Sequence, residues 1–185
     1  MHLNTQEIVR RANELVDRYG TRDPVRLAEE LEIEVVYYNF QRQRGVYKQI
    51  LGIPHIFVNR NLDPVEQRIV LLHELGHDQL HRDVAAVSGE FKEFNLFQMN
   101  SRLEYEANVF AAQIELDDEQ FLEYCEKGYD MEQIARSMHS DINLVALKAD
   151  TLIAQGYRLR RQEHRNDFLH YSKKSMLQSN LGWDE

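Results

Sequence analysis

The chain has 185 residues, of which 43% are hydrophobic, and a formal net charge of −9 at neutral pH. This length and apolar content suit one compact domain with a small appended subdomain, and the acidic balance argues against a free-standing nucleic-acid-binding protein. The single cysteine, Cys125, excludes an internal disulfide and fits a reducing compartment. No stretch has the apolar length of a membrane span or of a signal-peptide core, so we expect a cytoplasmic protein without a membrane partner.

The first third of the chain predicts two helices followed by three strands. Apolar residues recur at helical spacing over residues 5–19, and Gly20 is placed to end that helix. A second helix is predicted from Pro24 to about Leu31, because proline is favoured at the first helical position. β-branched and aromatic side chains then predict three strands of a small antiparallel sheet, over residues 34–40, 45–51 and 53–59.

The next helix carries the motif around which the rest of the chain is organised. Strong helix-start signals at residues 63–66 predict a helix that runs to about residues 81–82. His73 and His77 lie about 40° apart on one face of this helix, one turn from each other. Two imidazoles at this spacing can bind one zinc ion, and Glu74 between them can act on water as a general base.

An ordinary amphipathic helix with two unremarkable histidines is the alternative interpretation. The apolar residues of the helix lie mostly to one side of the His–Glu arc, so the arc is flanked by core instead of facing water on both sides. These residues are Ile69, Leu72, Leu75, Gly76 and Leu80. Their placement favours the metal site.

A zinc site with two histidines needs a third protein ligand, and two glutamates compete for that role. On the helix predicted to begin at Ser101, Glu104 borders the apolar stripe, whereas Glu106 points about 160° away and is expected to face solvent. The competing role for Glu104 is a capping box with Ser101. We favour Glu104 as the ligand, with Asn108 one turn further as a residue that orients one of the histidines.

Residues 83–100 predict an irregular stretch, because charged residues there are mixed with a cluster of apolar side chains. The cluster either packs onto the core or forms a lid that faces a substrate; it comprises Phe91, Phe94, Leu96, Phe97 and Met99. Three more helices are predicted over residues 117–126, 130–138 and 143–153, of which the last two look like a helix-turn-helix. A basic face over residues 158–174 and a weakly patterned tail follow.

Two stretches in this order resemble the ImmA/IrrE family of small metallopeptidases. They are HELGHxxLH over residues 73–81 and ExEANxFAA over residues 104–112. Residues 23–31 and 59–62 are similar to the same family, and the resemblance covers roughly residues 5–117.

The predicted elements and the resemblance together imply an α+β fold that is mainly helical and zincin-like, with a small antiparallel sheet. The metallopeptidase domain would comprise residues 1–117. A helical, helix-turn-helix-like subdomain and the tail would comprise residues 118–185.

The resemblance also implies a gluzincin-type zinc site on His73, His77 and Glu104, with Glu74 as the catalytic base. The implied activity is site-specific cleavage of a helix-turn-helix transcriptional repressor, which relieves repression in a prophage, a mobile element or a stress response. The repressor would then be the partner, and no direct contact with nucleic acid is expected. The rival hypothesis is a non-catalytic anti-repressor that sequesters its partner while the metal only stabilises the fold.

Four residues are candidates for the donor that stabilises the oxyanion of such a reaction: Tyr47, His55, Tyr105 and His81. His81 shares the arc of the two motif histidines. It lies about 12 Å along a straight helix from His73, too far for one metal ion, so we expect a structural or outer role for it.

Overall fold

The fold is α+β and mainly helical, as the sequence predicts. A computed structural model describes residues 3–88, 90–93 and 102–159, and within these ranges it contains seven helices and four strands. The helices are α1 (Thr5–Tyr19), α2 (Pro24–Glu30), α3 (Pro64–Ser88), α4 (Arg102–Glu115), α5 (Asp118–Glu126), α6 (Met131–Ser137) and α7 (Ile142–Ala154). The strands are β1 (Glu34–Tyr38), β2 (Gly45–Ile50), β3 (Ile53–Asn59) and β4 (Glu90–Glu93).

The helix ends follow the capping signals in the sequence. Gly20 adopts the left-handed conformation after α1, with φ 62°, and its amide donates to the Val16 carbonyl. At the start of α3, the Asp63 carboxylate accepts hydrogen bonds from the amides of Val65 and Glu66, each at 2.9 Å. The helix that carries the histidine motif therefore begins where the local signals predict.

The sheet is mixed, which corrects the prediction of an antiparallel sheet. Its strand order is β1-β3-β2-β4; β2 runs antiparallel to both neighbours, but β1 runs parallel to β3. The alternation of side chains indicates a strand but not its direction. The parallel pair arises because β1 lies beside β3, whereas a sequence-based expectation would place β1 beside β2, the next strand in the chain.

The stretch predicted to be irregular, residues 83–100, is partly regular. Helix α3 continues to Ser88, and residues 90–93 form β4, which pairs with β2. Pairing with a distant strand is a tertiary effect that the local sequence does not reveal. The remainder of the predicted apolar cluster and lid, beyond residue 93, lies outside the described residues, as does the basic stretch beyond residue 159.

Helices α3 and α4 form the central pair of the structure, and they are in close contact at Gly76. A Cβ atom at Gly76 would lie 3.0 Å from Ala107 Cα and 3.1 Å from its carbonyl oxygen. Helix α4 is packed by α1 and α7 as well, so nine consecutive residues from Glu106 to Ile114 are buried. The lack of a side chain at Gly76 lets α4 approach α3 closely beside the residues that bear His73 and Glu104.

A buried lysine of α7 links this helix to α4 and α5. Lys148 of α7 is 1% exposed, and its ammonium donates to Gln113 Oε1 at 2.6 Å and pairs with Asp118.

The predicted domain boundary at residue 117 stays a prediction. Among the helices in the described ranges, none combines the length and apolar character that a bilayer crossing requires.

Candidate metal centre

The structure brings together the three residues predicted to bind zinc. His73 Nε2 lies 3.1 Å from His77 Nε2 and 3.1 Å from Glu104 Oε2, and His77 Nε2 lies 3.5 Å from Glu104 Oε1. Both histidines are 1% exposed, whereas 21% of the Glu104 side chain is exposed. Within the described ranges, this is the one group of three or more histidine, cysteine or acidic side chains arranged to hold a metal ion.

The spacing of these donor atoms fits a tetrahedral zinc ion. Ligand atoms bound to zinc at about 2.0–2.1 Å in a tetrahedron lie about 3.3 Å from one another. The two Nε2 atoms are 3.1 Å apart, and each has a Glu104 oxygen at 3.1 or 3.5 Å, Oε2 for His73 and Oε1 for His77. Two imidazoles and one carboxylate are also a donor set typical of catalytic zinc sites, which leave a fourth position open. The residues present therefore fit the metal that the sequence implies.

Each histidine is held at its other ring nitrogen. His73 Nδ1 lies 2.9 Å from Asn108 Oδ1, the contact expected for a residue that orients a metal-binding imidazole. An amide oxygen can only accept, so His73 Nδ1 carries the hydrogen and the lone pair is on Nε2, which faces Glu104. His77 Nδ1 lies 3.1 Å from His81 Nδ1. The predicted contact of Asn108 with a motif histidine is thus present, and His81 contacts the other one.

The electrostatics of the cluster suit a cation. Burial lowers the pKa of His77 to about 4, so its imidazole is neutral at physiological pH. Burial by itself would raise the pKa of Glu104, but the close polar contacts with the imidazoles of His73 and His77 outweigh it and hold this pKa below its usual range. A neutral imidazole and an ionised carboxylate are the forms that bind metal ions.

Glu74 lies on α3 between the two histidines and is fully buried. A glycine on β2 makes room for its carboxylate: a Cβ atom at Gly45 would overlap Glu74 Oε1 and come 2.6 Å from Val70 Cγ1. The sequence alone does not indicate this contact, because it predicts Gly45 only as the first residue of a strand. Its role depends on how β2 packs against α3.

Glu106 does not face solvent, and this sequence prediction is wrong. Glu106 is 2% exposed; it lies 3.1 Å from His81 Nε2 and accepts a hydrogen bond from Arg102 Nε at 2.8 Å. The prediction assumed that α4 buries a single stripe, but α4 is covered on several sides. The other role considered for Glu104, a capping box with Ser101, involves a residue outside the described ranges.

Two of the candidates for the oxyanion donor, Tyr47 and His81, have their polar atoms in hydrogen bonds with other side chains. Tyr47 is fully buried and donates to Asp78 Oδ1 at 2.7 Å, while burial raises its pKa to about 12. His81 lies between His77 and Glu106. His55 Nδ1 lies 2.9 Å from the Ile53 carbonyl oxygen, and Tyr105 is partly buried against the core.

Comparison with known proteins places this chain in a family. The family model for the IrrE N-terminal-like domain, Peptidase_M78, matches residues 28–150, a range that includes the three candidate ligands and Glu74. The chain is also similar to a protein of Bacillus phage phi105 named "Uncharacterized immunity region protein 2". The two are 34% identical over 122 residues, which cover 65% of this chain and 75% of the phage protein. The chain belongs to the Peptidase_M78 family of IrrE N-terminal-like domains.

Proposed function

We propose that this protein is a zinc-dependent endopeptidase that cleaves a helix-turn-helix transcriptional repressor at a specific site and so relieves repression. The observation that carries the proposal is the cluster of His73, His77 and Glu104, whose donor atoms lie within 4.8 Å of one another. The peptidase family of the chain supports the reaction class. The immunity-region name of the phage relative supports a repressor-related setting.

In this proposal His73, His77 and Glu104 bind the metal, and Glu74 is the general base and acid that transfers the proton. Zinc, when bound, supplies a Lewis acid that lowers the pKa of water and polarises a carbonyl group. Glu74 accepts a proton from the attacking water and passes it to the amine that leaves. Asn108 keeps the lone pair of His73 on the nitrogen that faces the cluster.

The test is cleavage of a purified helix-turn-helix repressor, chosen from the repressors encoded in the same genome, by purified wild-type protein and a Glu74→Gln variant. We expect the wild type to yield two repressor fragments, and the variant to cleave about 10²–10⁴-fold more slowly with the same zinc content. Metal analysis of both proteins provides the control for loss of the ion. Relief of repression by both proteins, with the repressor still full length, would instead establish sequestration.

Gly45→Ala is expected to impair cleavage without removing zinc. The new methyl group must displace the Glu74 carboxylate, because a Cβ at that position overlaps it. A displacement of about 1 Å at a catalytic group can slow a reaction about 100-fold. Fragment formation and zinc content are measured side by side, with Gly52→Asn as the control.

Gly52 is a suitable control because it lies in the β2–β3 turn with φ 83° and has open space around it. Asparagine tolerates that backbone conformation better than other side chains do. Unimpaired cleavage by a folded Gly45→Ala protein would contradict the role given to Gly45.

A further inference from the structure

A buried row of hydrogen-bonding groups extends from His77 away from the candidate metal position. His77 Nδ1 lies 3.1 Å from His81 Nδ1, and His81 Nε2 lies 3.1 Å from Glu106 Oε2. The second oxygen of Glu106 accepts from Arg102 Nε at 2.8 Å. His77, His81 and Glu106 are each 4% exposed or less, whereas the Arg102 side chain is 54% exposed. The row therefore connects a proposed metal ligand to a charged group at the surface.

A break in α3 occurs at His81, the central residue of this row. His81 departs from helical geometry, with φ −131° and ψ 18°, in the middle of the segment from Pro64 to Ser88. The ring of His81 contacts that of His77, with centroids 5.2 Å apart and planes inclined by 52°. Its opposite nitrogen reaches across to α4, where Glu106 is located.

The direction of the hydrogen bonds follows from the chemistry of Glu106 and Arg102, which lie at the end of the row distant from the metal position. A carboxylate held by a guanidinium can only accept, so the hydrogen of a neutral His81 is on Nε2. His81 Nδ1 then has a lone pair and accepts from His77 Nδ1–H. This leaves the lone pair of His77 on Nε2, the atom that lies 3.5 Å from Glu104 Oε1. The row thus selects the tautomer of His77 that can bind a metal.

His73 and His77 are held by different means. His73 is oriented directly by the amide oxygen of Asn108, which is neutral. For His77, an additional imidazole separates the ligand from the carboxylate. Burial of that carboxylate is unfavourable by itself, and the hydrogen bonds from His81 and Arg102 offset it. A change at Glu106 is therefore expected to reach the metal site through His81, which lies between Glu106 and His77.

We propose that His81 and Glu106 are positioning residues for the metal centre, which fix the orientation and tautomer of His77 and thereby raise the affinity for zinc. This inference rests on the metal site of the proposed function but not on the identity of the substrate. Arg102 supports the row by keeping Glu106 as an acceptor. Glu106→Gln should reverse the row, because Arg102 requires the amide oxygen and leaves the amide NH₂ to donate to His81.

The first measurement is the tautomer of His77 in the metal-free full-length protein, obtained from long-range proton–nitrogen correlations of the imidazole rings. We expect the hydrogen on Nδ1 in the wild type and on Nε2 in Glu106→Gln. A hydrogen on Nε2 of His77 in the wild type would overturn the proposal, whether or not any variant folds. A merely structural role for Glu106 would leave the tautomer of His77 unchanged in the variant.

The second measurement is zinc affinity, by competition with a chelator, for wild type, Glu106→Gln and His81→Phe. We expect the dissociation constant to rise about 10–100-fold in both variants. Asp78→Asn is the matched control, since Asp78 is also a buried acid of this site region but bonds to Tyr47 and Arg82. It should change the constant less than threefold, in keeping with the absence of Asp78 from the row.

The outcomes separate this inference from the proposed function. Unchanged zinc affinity in folded Glu106→Gln and His81→Phe would overturn the positioning role while leaving the metal site intact. A wild-type protein that binds no zinc would refute the metal site, and one that binds zinc but leaves the repressor uncut would refute only the proteolytic function.

Discussion

Glu104→Ala is expected to reduce zinc affinity by about a hundredfold or more while the protein stays folded. Glu104 is the one carboxylate within reach of both motif histidines, at 3.1 and 3.5 Å, in the described part of the chain. Structural zinc sites in zinc-finger peptides bind the ion with roughly 10–16 kcal/mol through four protein ligands, about 3 kcal/mol for each, and we expect the loss of Glu104 to cost about as much. Zinc titration of the purified variant, with circular dichroism to verify folding, measures the effect.

The control for this variant must be an exposed glutamate, and Glu106 does not qualify. Glu106→Ala removes the acceptor for His81 and Arg102, so it should lower the free energy of unfolding by about 1–3 kcal/mol. Glu126, exposed at the end of α5, is the better choice, and Glu126→Ala should leave zinc affinity unchanged. Full zinc occupancy in Glu104→Ala would mean that another residue is the third ligand.

The features that the sequence predicted are those encoded within one or two helical turns. Capping by Asp63, the left-handed Gly20 and the spacing of His73 and His77 all follow from neighbouring residues. In each of these cases a local rule was sufficient. Glu104 was predicted differently, from the number of ligands that a zinc site needs and from the facing of residues on α4, and its role as a ligand stays a prediction.

The features that the sequence missed depend on contacts between distant segments. Glu106 was predicted to face solvent because helical periodicity assumes one buried side, whereas α4 is packed by α1, α3 and α7. The helix was predicted to end at about residues 81–82, where the break at His81 lies, but its continuation beyond that break to Ser88 was not predicted. The distance estimate excluded His81 as a ligand but did not reveal that its ring meets that of His77.

Gly76→Val is expected to disrupt both the stability and the metal site. Any side chain at Gly76 must push α4 away, since a Cβ would lie 3.0 Å from Ala107 Cα and 3.1 Å from its carbonyl oxygen. Overpacking of this kind costs about 1–3 kcal/mol, and backbone atoms yield less readily than a flexible side chain. Glu104 lies one turn before Ala107, so displacement of α4 also carries the carboxylate away from the histidines. Denaturant unfolding of the metal-free protein and zinc titration measure the two effects.

Gly76→Ala separates helix propensity from packing. Alanine stabilises an exposed helix interior by about 1 kcal/mol relative to glycine, so a gain in stability is expected if the contact with Ala107 is unimportant. We expect no gain, because the added methyl group meets Ala107 at 3.0–3.3 Å and the helices must separate slightly. The metal-free protein is required here, because bound zinc would stabilise the folded state and mask the difference. If Gly76→Ala proves more stable than the wild type and binds zinc equally well, close packing at Gly76 is not what brings Glu104 to the histidines.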